Sequence, residues 1–216
     1  MEKKKKIRPS PDTPVPVLDQ EALNNRRVRA DAKLRYAEVH LEELRELEAK
    51  APLGGSEFDR AHQESFLFHL FGAKDAFLIE LNVYYGGGLP DTNLAIGKLQ
   101  EALKAQDRYS PELAELYTLE DDEESWLSHA KGIRDHSAHV SGAPRAFHHG
   151  GEHHQKVFLR NPDTGRQNEE HFVLEYGRWL SNMKALLERL RASAIATMRG
   201  QNALDAAKSS DAPFAG

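Results

Sequence analysis

The chain has 216 residues, 39% hydrophobic and 29% charged, with a formal net charge of −5 and no cysteine. That length is enough to bury the core of one ordinary domain, and the lack of cysteine excludes a disulfide framework, a thiolate zinc site and a cysteine nucleophile, in keeping with a reducing cytoplasm. The acidic balance excludes coating of nucleic acid by bulk positive charge and leaves a local basic patch as the route to that partner.

Met1 to Arg8 is basic, but Pro9, Pro11, Pro14 and Pro16 stand where a signal peptide needs an apolar run. Residues 1–18 therefore read as a solvated, proline-rich arm. A long helix is expected from a cap at Asp19 to about Lys50. In it Ala30, Leu34, Ala37, Leu41 and Leu44 recur at alternating spacings of four and three, one apolar stripe for packing. Ala51-Pro52 and Gly54-Gly55 end it, and Ser56 caps a second helix that is apolar on several faces between Phe66 and Val83. His69, Lys74, Asp75, Glu80 and Asn82 make that helix too polar for a bilayer, so it reads as the central element of a bundle, with Lys74, Asp75 and Glu80 paired or solvated. Gly86-Gly87-Gly88-Leu89-Pro90 is a stop; it lacks the preceding strand of a phosphate-cradling loop.

A third helix is expected from about Thr92 to Gln106 on Leu94, Leu99 and Leu103, and a short helical segment begins at Ser110-Pro111. The fourth main helix is expected to begin near Leu119. Glu120, Asp121, Asp122, Glu123 and Glu124 would then oppose the positive end of its dipole, and it runs through Trp126, Leu127 and Ile133 toward Val140, short of Pro144. A β-hairpin over about residues 145–160, turning at Gly150-Gly151, would set His149 opposite Glu152 and His148 opposite His153. A turn follows from Asn161 to Gly165. The last helix carries Phe172, Tyr176, Trp179, Met183, Leu187, Leu190 and Ala194, starts as early as Asn168 and ends near Arg199, leaving 200–216 as a frayed tail. Trp126, Trp179, Tyr84 and Tyr85 fall at core spacing and read as packing anchors. The fold class is thus all-α: an up-and-down helical bundle over residues 19–199, with a small β-hairpin inserted before the last helix and no membrane span.

The chemistry lies with the histidines. Six of the eleven fall between His136 and His154, and from Lys131 to Arg166 six basic residues face three acidic ones in an otherwise acidic chain. Phosphate is welcome there. At the centre stands Gly132-Ile133-Arg134-Asp135-His136-Ser137-Ala138-His139-Val140, an arginine followed five residues later by a histidine near a helix end. Arg35 with His40 and Arg166 with His171 share that spacing, but only Arg134 with His139 has a polar successor, a small residue before the histidine and an apolar helix leading in.

This segment resembles the signature of the HEPN family, named for higher eukaryotes and prokaryotes and for nucleotide binding. The stretch Phe68-His69-Leu70-Phe71-Gly72-Ala73-Lys74-Asp75-Ala76-Phe77 is also similar to the second helix of small bacterial members. The resemblance implies an up-and-down bundle that forms a homodimer with two motifs facing one another. In active members it implies an endoribonuclease needing neither metal nor cofactor, of the kind used as a toxin or in phage defence and restrained by an antitoxin or regulatory partner. His139 would be the general base on a 2′-hydroxyl and Arg134 the stabiliser of charge building on phosphorus. Asp135 would orient the imidazole, and His136 would be a second proton carrier or phosphate contact. Lys131, Arg145, His148 and His153 are the expected RNA contacts. Five residues turn about 140° around a helix, so Arg134 and His139 share a site only across a two-fold interface or at a bent helix end. No metal is expected: the hairpin histidines with Glu152 offer zinc or nickel ligands but no structural zinc spacing. The alternative is a non-catalytic helical interaction module, with Arg134 and Asp135 on a solvated helix end and His139 against the C-terminal dipole.

Overall fold

The structure, a computed structural model, describes residues 20–50, 56–92, 94–139, 143, 145–150, 154–168 and 170–210. At 20, 22, 139, 145–150, 154–156 and 200–210 it describes the backbone alone. The expected arm, the cap at Asp19, the stop at 51–55 and the residues Val140, Pro144, Gly151, Glu152 and His153 lie outside the described residues.

The apolar stripe of the first helix forms as expected. α1 (Gln20–Lys50) buries Ala30, Leu34, Ala37, Leu41 and Leu44 along one side. α2 (Glu57–Tyr84) starts at Ser56, whose Oγ accepts from the Asp59 amide at 3.1 Å. The two helices run antiparallel, Lys33 lying beside His69 and His40 beside His62. α2 is the central element: Phe66, Phe71 and Phe77 are fully buried. Its end depends on close packing at Gly87, where a Cβ would come within 2.5 Å of Asn82 Oδ1 and 2.7 Å of Leu99 Cδ1. Asn82 in turn clamps Leu89, donating to its carbonyl at 2.8 Å and accepting from its amide at 3.2 Å.

α3 (Ile96–Lys104) is shorter than its apolar pattern suggests. The chain leaves Gly88 at φ 68°, and Leu94 packs against the core from a non-helical segment; its burial is real, but it is not the first turn of a helix. α4 (Pro111–Asp121) begins as expected, Ser110 Oγ accepting from the Leu113 amide at 3.2 Å.

The next boundary corrects the sequence reading. α5 (Trp126–His139) does not begin near Leu119. Glu120 and Asp121 close α4, and the rest of the acidic run forms the connection. Ser125 decides the start: its Oγ accepts from the Ser128 amide at 3.0 Å and its carbonyl from the His129 amide at 3.2 Å. A run of like charge fits the start of one helix or a solvated link equally well, and the cap selects between them.

β1 (Arg145–Gly150) and β2 (His154–Leu159) form the expected antiparallel hairpin in another register. Gly150 pairs with His154, His149 with Gln155 and His148 with Lys156, so the Gly150-Gly151 turn is replaced by a connection over 151–153. The pairings of His149 with Glu152 and His148 with His153 do not form. Val157 and Leu159 share one face of β2 and are fully buried, which fixes the register, because a one-residue slip would put Phe158 and the exposed Arg160 in their place. Beyond it Asn161 Oδ1 accepts from the amides of Asp163 and Thr164, and Gly165 takes φ 71°, the turn expected there.

α6 (Phe172–Ser210) starts four residues after the earliest expected position and continues past Arg199 to Ser210, where a frayed tail was expected. It lies antiparallel to α1, with Lys184 bonded to Glu38 at 2.9 Å and Arg191 to Asp31 at 2.8 Å. Trp179 and Tyr85 are buried and Trp126 and Tyr84 pack partly buried against the core, as expected of anchors. Lys74 and Glu80 are buried and paired, with Glu120 and Arg191 respectively. The whole is a helical bundle with one hairpin before its last helix, and no described helix is long and apolar enough to cross a membrane.

Candidate functional site

α5 presents Arg134 to a cleft of about 880 Å³ formed with α1, α2 and the segment before α3. Arg134, Asp135, Ser137 and Ala138 supply its α5 wall, Phe68, Phe71 and Asp75 are among its α2 residues, and Arg29 and Lys33 come from α1. α5 can sit this close to the turn after the hairpin because residue 132 is glycine: a Cβ there would lie 2.3 Å from Asn161 Nδ2.

The Arg134 side chain is 32% exposed. Its guanidinium carbon stands 4.6 Å from the centre of the Phe71 ring, and Nε and Nη2 both donate to Asp135 Oδ1, at 2.9 and 2.5 Å. The cation is thus oriented by an aromatic face and a carboxylate, with part of its edge left to the cleft. Ser137 Oγ donates to the Arg134 carbonyl at 2.9 Å.

The expected site residues divide. Arg134 and Asp135 meet in the cleft, but Asp135 is occupied by Arg134. His136 is half-buried and does not line the cleft. Lys131 reaches Glu120 Oε2 at 3.6 Å, an ion pair in the place of the free cation expected for RNA. His139 is the last residue of α5, and its side chain, with those of Arg145 and His148 and all of His153, lies outside the described residues. Because α5 stays helical through His139, the backbone positions 134 and 139 are about 140° apart around its axis. One chain does not bring them to a common face.

Sequence reasoning missed the opposite wall. Lys33 Nζ lies 4.7 Å from the centre of the Phe68 ring and 3.5 Å from His69 Nδ1. Alongside, His40 Nδ1 and His62 Nδ1 are 3.1 Å apart, one donating to the other, and the His40 and His69 rings stack at 5.5 Å. Burial lowers the pKa of His40, with His62 adding to the shift and Glu43 opposing it. Burial also lowers that of His69, helped by Lys33 and His40. Both rings favour the neutral form. The clue in the sequence was limited to histidines and cations scattered over two separate helices, which only the α1–α2 pairing collects. Among the described residues no group of three histidine or carboxylate side chains is placed to hold a metal ion.

Over residues 23–196 the chain matches DUF6586, a family of unknown function, and it belongs to that family. No curated protein and no solved structure matches it.

Proposed function

We propose, for this member of the DUF6586 family, metal-independent cleavage of RNA of the HEPN type by a homodimer in which Arg134 and His139 work together. The observation that carries this reading is the presentation of the Arg134 guanidinium, stacked on Phe71, to an open cleft. A planar cation with fixed orientation is suited to the charge that grows on phosphorus during attack. His139 takes the proton of a 2′-hydroxyl, O2′ bonds to phosphorus, and the 5′-oxygen leaves and receives a proton. His136, which does not line the Arg134 cleft of its own chain, stands three residues before His139 on α5 and makes that return from the partner copy, beside His139. The products are a 2′,3′-cyclic phosphate and a 5′-hydroxyl.

The angular separation of positions 134 and 139 on α5 supports a site shared between two copies, each giving one of the pair. Such an activity suits a cytoplasmic toxin or phage-defence effector held in check by a regulatory partner.

A specific observation favours the second reading, a non-catalytic interaction module. Arg134 is already paired with Asp135, and Lys131 shares Glu120 with Lys74, within one chain. Incubation of RNA in chelator with the wild type, Arg134→Ala and His139→Ala separates the two. Ribonuclease action requires cyclic-phosphate ends from the wild type, none from either variant, and partial recovery when the two variants are mixed and exchange subunits. Intact RNA with all three proteins leaves the interaction module as the function.

A further inference from the structure

We infer that Phe68 is a nucleobase-stacking subsite of the Arg134 cleft, which makes the cleft a receptor for unpaired rather than duplex RNA. This rests on the RNA reading above and adds to it a residue and a strand preference.

Phe68 is a large apolar side chain left 63% exposed on the cleft, while Phe71, one turn along the same helix, is buried beneath Arg134. Its immediate neighbours are polar: Lys33 stands over the ring at 4.7 Å, and His69 meets it edge-on with centroids 5.2 Å apart. A largely exposed ring with a cation beside it can hold a base by stacking and the adjoining phosphate by charge. Gly72 allows it. A Cβ at that position would lie 3.3 Å from Lys33 Cδ, so the lysine stem crosses α2 where no side chain obstructs it.

The electrostatics of the cleft agree. Three of its four carboxylates are engaged: Asp135 with Arg134, Asp75 with Lys74 at 3.5 Å and Asp91 with Arg26 at 3.4 Å. Among the described residues neither Arg29, one helical turn before Lys33, nor Lys33 itself has an ion pair; Lys33 meets the Phe68 ring and the neutral-leaning His69. Among the described residues two cations without an ion pair thus face one carboxylate without one, Glu64. Phe68 and Phe71 are three residues apart, about 4.5 Å along the axis, so the exposed ring and the Arg134 guanidinium over Phe71 line one cleft. A paired base has no free face for such a ring.

The test uses the full chain and a fluorescent, uncleavable 2′-O-methyl RNA 12-mer, single-stranded or annealed to its complement, read by anisotropy. The wild type is expected to prefer the single strand. Phe68→Ala is expected to weaken single-strand binding about ten-fold with little change for duplex, and Phe68→Trp to retain it with quenching of the new indole by the bound base. Single-strand binding unchanged in Phe68→Ala but lost in Arg134→Ala overturns the stacking subsite and spares the RNA reading. Absence of binding to either probe, together with intact RNA in the cleavage assay, overturns both. If Phe68→Ala alters self-association in sedimentation and not RNA affinity, the ring is a protein contact and the inference fails.

Discussion

Asp135 holds the guanidinium of its neighbour Arg134, Nε and Nη2 donating to one carboxylate oxygen at 2.9 and 2.5 Å above the Phe71 ring. The carboxylate therefore acts on the arginine, whereas the sequence pattern suggested a partner for the imidazole. It aims the guanidinium and also cancels its charge. Asp135→Asn keeps the shape and releases the charge, so RNA affinity is expected to rise a few-fold. The slope of log affinity against log salt should steepen by about 0.7, the single-strand value for one further phosphate contact. Anisotropy titrations at several salt concentrations measure both. An unchanged slope means that Arg134 does not meet phosphate.

Gly132 is the point of nearest approach between α5 and the Asn161 turn. A methyl group there would lie 2.3 Å from Asn161 Nδ2 and 2.9 Å from Cγ, and Asn161 is buried and holds two amides of its own turn. The amide group has little freedom to move. Gly132→Ala is expected to cost about 1–3 kcal/mol in urea denaturation, as overpacking does. Adding Asn161→Ala should then cost less than the sum of the two single changes, since the methyl group occupies space the amide has left.

The sequence disclosed features whose causes are local. The four-and-three stripe from Ala30 to Leu44 specifies a buried helix face, and Ser56 and Ser110 mark helix starts because the cap is complete within a few residues. Where two local readings compete, the outcome depended on contacts elsewhere. The acidic run fits either side of the α4–α5 boundary, and only the Ser125 cap fixes it. The Gly150-Gly151 pair fits a tight turn, yet the register follows the burial of Val157 and Leu159. The motif at Arg134 was visible as a string. The wall opposite was not, because Arg29 and Lys33 join Phe68 only once α1 lies along α2.

Arg191 ties three helices together. It donates to both Glu80 oxygens, at 2.8 and 2.7 Å, and to Asp31 Oδ1 at 2.8 Å, with Glu80 fully buried. Burial pushes the Glu80 carboxyl up, and the Arg191 guanidinium opposes that shift. Arg191→Met strands the carboxylate and is expected to cost about 3–5 kcal/mol. Replacing both partners, with Glu80→Leu added to Arg191→Met, removes the stranded charge and should restore most of the loss. Guanidinium or urea melts of the two variants measure the difference. Equal stability of the single and the double variant would show that the cost lies in lost packing alone.

His129 gives the bundle a pH dependence. It is buried on α5 with its ring edge-to-face with Trp179 at 5.8 Å, and neither ring nitrogen has a full hydrogen bond among the described residues. Burial lowers its pKa below the ordinary 6.5, Asn168 beside it opposes the shift, and Arg166 and Arg178 lower it further. The unfolded chain therefore binds this proton more readily than the folded one. Stability from this group is complete above about pH 6.5 and declines as the pH falls toward the depressed folded-state value. His40 and His69 shift in the same direction and add to the effect. Thermal melts taken from about pH 7.5 to 5.5 are expected to show a falling Tm. His129→Phe keeps an aromatic ring against Trp179 and removes the titrating group, so its profile should be flatter while the slope due to His40 and His69 remains. A profile parallel to that of the wild type would mean that His129 takes up its proton without penalty, which the burial of its ring on α5 does not allow.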